Sequence, residues 1–244
     1  FTATNYSDLE VTILLADDVL KSLAMVKKLR KWIALKLHRF IIAVDPLQHH
    51  GAFYLWDDVL VNYSELILPI DAYGQCWSYK GSEIKLNVIR EEAKFKMVSR
   101  RRLHSTLASL LNFNDTFFRF GVNLYSIKRM LSNFLMLPPY YYQSVSGPIG
   151  KRLAIVKVKN EFDDDVRRSF EVATDIRKSW PKCGGWMSQL RQYIIHAKIP
   201  QGRLDQILCN VFRDKSVEKL VRLDFIPLMV KACQKISHRC ENSK

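Results

Sequence analysis

Two carboxylates and a lysine come nearest to catalytic chemistry in this sequence: Asp71, then Glu83-Ile84-Lys85, with His38 and Asp45 upstream. A metal-dependent nuclease sets such groups around a divalent ion, which polarises a phosphate and acidifies the attacking water. Glu83 and Lys85 flank an apolar residue, so a strand would turn both to one polar face. The same spacing is that of any strand with one wet face. The Pro-Asp pair common before such a motif reads Pro69-Ile70-Asp71 instead. His49-His50, with Asp45, Asp57 and Asp58 nearby, has ligand chemistry but adjacent side chains that diverge on an extended chain. A solvated loop is expected there. No phosphate loop, dinucleotide fingerprint, nucleophile elbow or zinc-protease motif occurs. The expectation is a chain without enzymatic activity, cofactor or metal.

Binding chemistry is better represented. Pro138-Pro139-Tyr140-Tyr141 matches PPxY, a ligand of WW-domain grooves that take a preformed polyproline II segment; Pro138, Pro139 and Tyr141 would be read. The competing reading is a helix-stopping proline pair followed by tyrosines packed on the domain. Basic clusters recur: Lys27, Lys28, Arg30 and Lys31; Lys94 and Lys96, then Arg100, Arg101 and Arg102; Lys151 and Arg152; Arg167 and Arg168. Such groups grip phosphates, and the counterions they release make the binding salt-sensitive. No base-reading module accompanies them, so binding is expected at a phosphate backbone or lipid headgroups.

The charge is laid out in blocks. Lys21 to Arg39 holds seven basic residues and no acidic one. Residues 40–79 carry Asp45, Asp57, Asp58, Glu65 and Asp71 with no Lys or Arg. Residues 80–102 turn basic again, and 123–244 hold 22 basic against 11 acidic residues. The net charge is +14. Such a balance speaks to partners rather than fold. Opposing blocks predict a basic face for a polyanion and an acidic patch over 40–79 that receives the basic face of a neighbouring copy.

These groups need elements to hold them. Asp17 and Asp18 precede an amphipathic pattern that predicts a basic helix over 17–38, with Asp as N-cap. Residues 40–98 read as a small, mostly antiparallel sheet. Its pieces are the apolar run Phe40–Val44, Leu66–Ile70, Gln75–Tyr79, a turn at Lys80-Gly81, and alternation through Ile84–Val88 and Ala93–Met97. Two helices are expected over 100–136, broken near Asn112–Asp115 and ended by Pro138-Pro139. A Pro/Gly loop over 138–150 divides a first part, 1–137, from a basic, mainly helical part, 151–244, though one domain would also fit the length. The second part should hold a short strand over 153–158 and helices near 164–179, 186–197, 202–212 and 215–236. The fold class is α+β. Phe1 stands where an initiator Met would, and a processed or truncated chain is expected. Five cysteines in loose spacing, with no CxxC, predict free thiols in a reducing compartment, cytoplasm or nucleus.

Basicity, size, α+β pattern and the Pro138-Pro139-Tyr141 motif together resemble matrix proteins of enveloped negative-strand RNA viruses, rhabdovirus-like ones in particular. The resemblance implies a virion structural protein that self-associates, bridges nucleoprotein and an acidic membrane surface, and recruits a WW-domain protein. The competing expectations are a sequence-indifferent RNA- or DNA-binding nucleocapsid subunit and the nuclease built on Asp71, Glu83 and Lys85.

Overall fold

The computed structural model describes residues 11–47, 52–66, 70–73, 85–89, 91–182, 185–196, 207 and 211–242. Among them the fold is helix-rich α+β. Strand β1 (Thr12–Leu15) pairs in parallel with β2 (Phe53–Trp56), Thr12 opposite Phe53. The sheet is thus parallel, not antiparallel as the alternation implied. A parallel pair needs a crossover, and helices supply it.

That crossover is α1 (Asp17–Lys21), α2 (Leu23–Trp32), a π-helical turn (Ile33–Leu37) and α3 (His38–Val44). Asp17 and Asp18 lie in the first turn of α1, where their charge suits the dipole, and Ala16 holds the N-cap position. The chain breaks at Ser22, whose Oγ accepts from the Met25 amide at 3.4 Å. The expected strand Phe40–Val44 is helical, because Ile41 and Ile42 pack inward with Leu37 at helix spacing. Short helices α4 (Asp57–Val61) and α5 (Ile70–Tyr73) follow β2. Tyr63 and Val88 form an isolated bridge. Gln75–Tyr79, Lys80-Gly81, Glu83, Ile84, His49-His50 and most of the helix expected over 202–212 lie outside the described residues.

Helix α6 (Glu92–Leu111) replaces the strand expected over 93–97. Its inward residues are Phe95, Ser99, Leu103, Thr106, Leu107 and Leu110, a helical spacing, while Ala93 and Met97 are exposed. The local alternation was only the first turn of that stripe. The expected break falls at Asn112, before the short α7 (Phe113–Thr116). Helix α8 (Leu124–Phe134) begins in a capping box: the Ser126 amide donates to Asn123 Oδ1 at 3.0 Å, and the Asn123 amide to Ser126 Oγ at 3.1 Å.

Pro138-Pro139 starts a helix rather than ending one. It lies in the first turn of α9 (Leu137–Val145), where a missing N–H costs nothing. Residues 153–158, expected as strand, belong to α10 (Lys151–Glu161), with Ala154 and Val158 buried four apart. Helix α11 (Asp164–Lys178) starts where the three aspartates predict it, and Asp163 accepts from the Val166 amide at 3.2 Å. Then come α12 (Gly185–His196), α13 (Lys215–Leu220), a second π turn (Val221–Phe225) and α14 (Ile226–Glu241).

One core cluster runs from Leu47 to Cys240 and takes in residues on both sides of 138–150. The stretch 138–150 contributes Tyr141 and Tyr142 to that cluster. Phe134 is its centre, stacked on Phe170 at 4.5 Å and edge-on to Phe225 at 5.2 Å. Helix α9 packs on α6 and α10, and α14 on α11 and α6. Residues Val217, Val221, Phe225, Met229 and Cys233 are all buried at four-residue steps. An α-helix overshoots by about 40° per such step, and the wider π turn absorbs the excess. Pro227 accounts for its place: the ring collides with a carbonyl four residues back in a tight helix, and the wide turn makes room.

Candidate polyanion-binding surface

Helices α2 and α3 form the most distinctive surface of the molecule. From Val19 to Val44 there is no carboxylate. Lys21, Lys27, Lys28, Arg30, Lys31, Lys36 and Arg39 are all exposed. Lys27, Lys28, Arg30 and Lys31 make no ion pair among the described residues. Val26, Leu29 and Ile33 form the partly covered side of α2. In an uninterrupted α-helix that stripe would continue through Leu37, Phe40 and Val44. The π turn at Ile33–Leu37 adds a residue to one turn and shifts the stripe by one. Ile41 and Asp45 now face in, and Phe40 and Val44 face out among the cations.

Asp45 ends this element and pins it to the core. Its Oδ2 accepts from Lys128 Nζ at 2.7 Å, and its Oδ1 from the Leu47 amide at 3.0 Å. Lys128 is fully buried on α8, so this is a desolvated ion pair and not surface charge. Glu65 is also buried and accepts from the Ile70 amide. Both residues belong to the block expected to be an acidic patch. The patch shrinks, among described side chains, to Asp57 and Asp58, both exposed at the start of α4. Backbone capping and core pairing have taken the other two.

The remaining predicted cations lie on successive packed helices. On α6, Lys94 pairs with Glu91 at 3.3 Å and Lys96 with Glu92 at 2.6 Å. The Lys96 ammonium holds the Glu92 carboxyl below its ordinary range. Arg101 and Arg102 are exposed and Arg100 half-buried, none with an ion pair among the described residues. Arg102 lies close enough to Tyr140 to oppose the rise that burial gives its phenol. Lys151 and Arg152 open α10, the lysine half-buried and the arginine exposed. Arg167 is engaged with Asp164 at 2.7 Å, and its neighbour Arg168 is exposed. Lys94, Lys96 and Arg167 thus spend their charge locally, which i,i+3 and i,i+4 spacing permits.

The PPxY segment is not presented as a groove ligand. Pro138, Pro139 and Tyr141 are buried in helix α9, Tyr141 edge-on to Phe162 at 5.5 Å and to Tyr142 at 5.1 Å. A WW groove takes exposed polyproline II, so the folded chain corrects that expectation. The neighbouring Tyr142 hydroxyl donates to Glu161 at 2.6 Å, and burial together with that carboxylate pushes its pKa up.

For the nuclease constellation, Asp71 falls in the short α5, Glu83 lies outside the described residues, and Lys85 sits exposed in irregular backbone rather than on a paired strand. Among the described residues no group of three His, Cys, Asp or Glu side chains is placed to hold a metal ion. Among them too, no helix is long and apolar enough to cross a membrane. Cys233 and Cys240 are free and buried, and burial pushes the Cys233 thiol up to about 12.

Sequence reading missed the outward Phe40 and Val44, and it missed the buried Lys128. The signal for the first was present as an inward stripe with four-residue steps at 29, 33, 37 and 41. Comparison of the chain with family models, with curated proteins and with solved structures finds no match.

Proposed function

We propose that this protein is a non-enzymatic structural protein that holds an acidic surface, self-associates, and bridges a nucleoprotein and an anionic membrane in the manner of a viral matrix protein. The observation that carries this reading is the carboxylate-free helix α2–α3, with six exposed cations. A patch of one sign concentrates counter-charged partners and steers their approach. Self-association would use Asp57 and Asp58, the exposed acids of the opposing block. An intracellular, reducing setting belongs to the same proposal and is supported by the unpaired Cys233 and Cys240.

A second reading, a sequence-indifferent RNA- or DNA-binding subunit, is favoured by Arg100, Arg101 and Arg102, whose guanidinium groups suit phosphate. The test is parallel titration of single-stranded RNA and anionic vesicles over a salt series. Binding to both, weakening with salt, is expected. Binding of neither at ~50 mM salt, where phosphate contacts are strong, refutes the proposal. Binding of RNA alone selects the second reading.

A further inference from the structure

We infer that α2–α3 is an in-plane membrane helix, which seats Trp32, Phe40 and Val44 among the headgroups and acyl ends of an anionic lipid surface while its lysines and arginines meet the phosphates. This rests on the polyanion reading and names the partner of that same surface.

Three observations carry it. The first is the company the cations keep. Leu23 is 70% exposed, Phe40 58%, Val44 57% and Trp32 49%, on the same carboxylate-free run. A nucleic-acid backbone would match the lysines and arginines but would leave these apolar groups against phosphate. A bilayer interface takes both: the apolar side chains enter the acyl boundary and Trp prefers the headgroup level. Lysine and arginine stems can lie along the apolar surface while their charged ends reach the phosphates.

The second is the π turn. Without it Phe40 and Val44 would continue the inward stripe. The extra residue at Ile33–Leu37 turns them out and buries Ile41 in their stead. Such turns recur at functional sites. Here it turns Phe40 and Val44 out beside the cations while Leu37, Ile41 and Ile42 hold the helix to the core.

The third is that the helix is long but not spanning. Its run from Leu23 to Val44 is punctuated by cations and breaks short of any transmembrane pattern. An amphipathic segment of that kind lies on a membrane and does not cross it. The anchor at Asp45–Lys128 fixes its C-terminal end to the body of the protein.

The experiment measures co-sedimentation of the full chain with vesicles of phosphatidylcholine and phosphatidylserine, and with phosphatidylcholine alone, beside a single-stranded RNA titration. The F40S/V44S variant changes two exposed residues and should fold as wild type, checked by circular dichroism. Its vesicle affinity should fall about tenfold, because apolar insertion contributes beyond charge. Its RNA binding should not move. A brominated acyl chain should quench Trp32 fluorescence, read as the difference between wild type and Trp32→Phe. Equal vesicle binding by wild type and F40S/V44S, with no quenching, overturns the insertion while leaving the polyanion reading intact. Binding of RNA but not of vesicles also overturns it. Loss of both ligands with concentration-dependent self-association through this face would assign the helix to a second copy instead. Failure of wild type to bind either ligand defeats the underlying reading itself.

Discussion

Removing one end of the Lys128–Asp45 pair should unfold the protein far more readily than removing both. Lys128 has no exposed surface and Asp45 almost none, so each charge depends on its neighbours for solvation. In K128M the methionine fills the aliphatic volume but leaves a buried carboxylate. Breaking one side of such a pair costs about 3–5 kcal/mol, a large fraction of a domain's stability. D45N keeps an oxygen for the Leu47 amide but removes the negative charge that faces the ammonium at 2.7 Å, and should cost a similar amount. The double variant K128M/D45N buries no net charge. It should recover most of the loss, giving a coupling of ~2 kcal/mol or more. Urea unfolding at neutral pH, followed by far-UV circular dichroism, reads all four proteins. Additive single costs, or K128M within ~1 kcal/mol of wild type, would refute the argument. Because Asp45 ends α3, K128M should also weaken vesicle binding when measured well below its unfolding midpoint.

Three further outcomes are expected. Tyr141→Ala should destabilise by ~3 kcal/mol, the cost of emptying a packed aromatic site, and the native chain should not be captured by an immobilised WW domain. Native capture would show α9 opening. Lys235 bridges Asp163 and Asp165 at 2.7 and 2.8 Å and holds both carboxyls below their usual range. Its contribution is present above the unfolded carboxylate range of ~4 and is lost as pH falls through the lowered folded values. Lys235→Met should therefore lower the melting temperature at neutral pH and match wild type at ~pH 2; an unchanged gap at low pH would count against the bridge. Cys233, buried and pushed up to about 12, should resist thiol reagents in the native protein and react on unfolding. Stoichiometric labelling of Cys233 without unfolding would contradict its burial.

The helices after Asp163 were legible because their signals are local, whereas α9 was expected as a loop and α10 as a short strand. Asp163–Asp165 mark a helix start, and apolar residues at spacings of three and four mark the buried face. The region before α6 misled because short apolar runs do not distinguish strand from buried helix. Phe40–Val44 is rich in β-formers, but it continues an already nucleated helix, and burial of Ile41 and Ile42 overrides propensity. Ala93, Phe95 and Met97 alternate only by accident of where Lys94 and Lys96 fall. Of the candidate surface, the cations of α2 were legible from charge alone. The loss of Asp45 and Glu65 from the acidic patch was not, since their partners Lys128 and the Ile70 amide are fixed by tertiary contact.

The wide turn before Pro227 makes the C-terminal part of the chain tolerant of a change in length at one place. A π turn holds one residue more than the α turn it replaces. Deleting one residue of Val221–Phe225 would let the segment close to α geometry with the helix after it still in register, although the Pro227 ring would lose the room the wide turn gives it. Met229, Cys233, Ile236 and Cys240 would stay in the core. Deleting Val230 instead, inside Ile226–Glu241, would rotate everything after it by about 100° and turn Cys233, Ile236 and Cys240 out together. Where the residue is lost matters more than which residue it is.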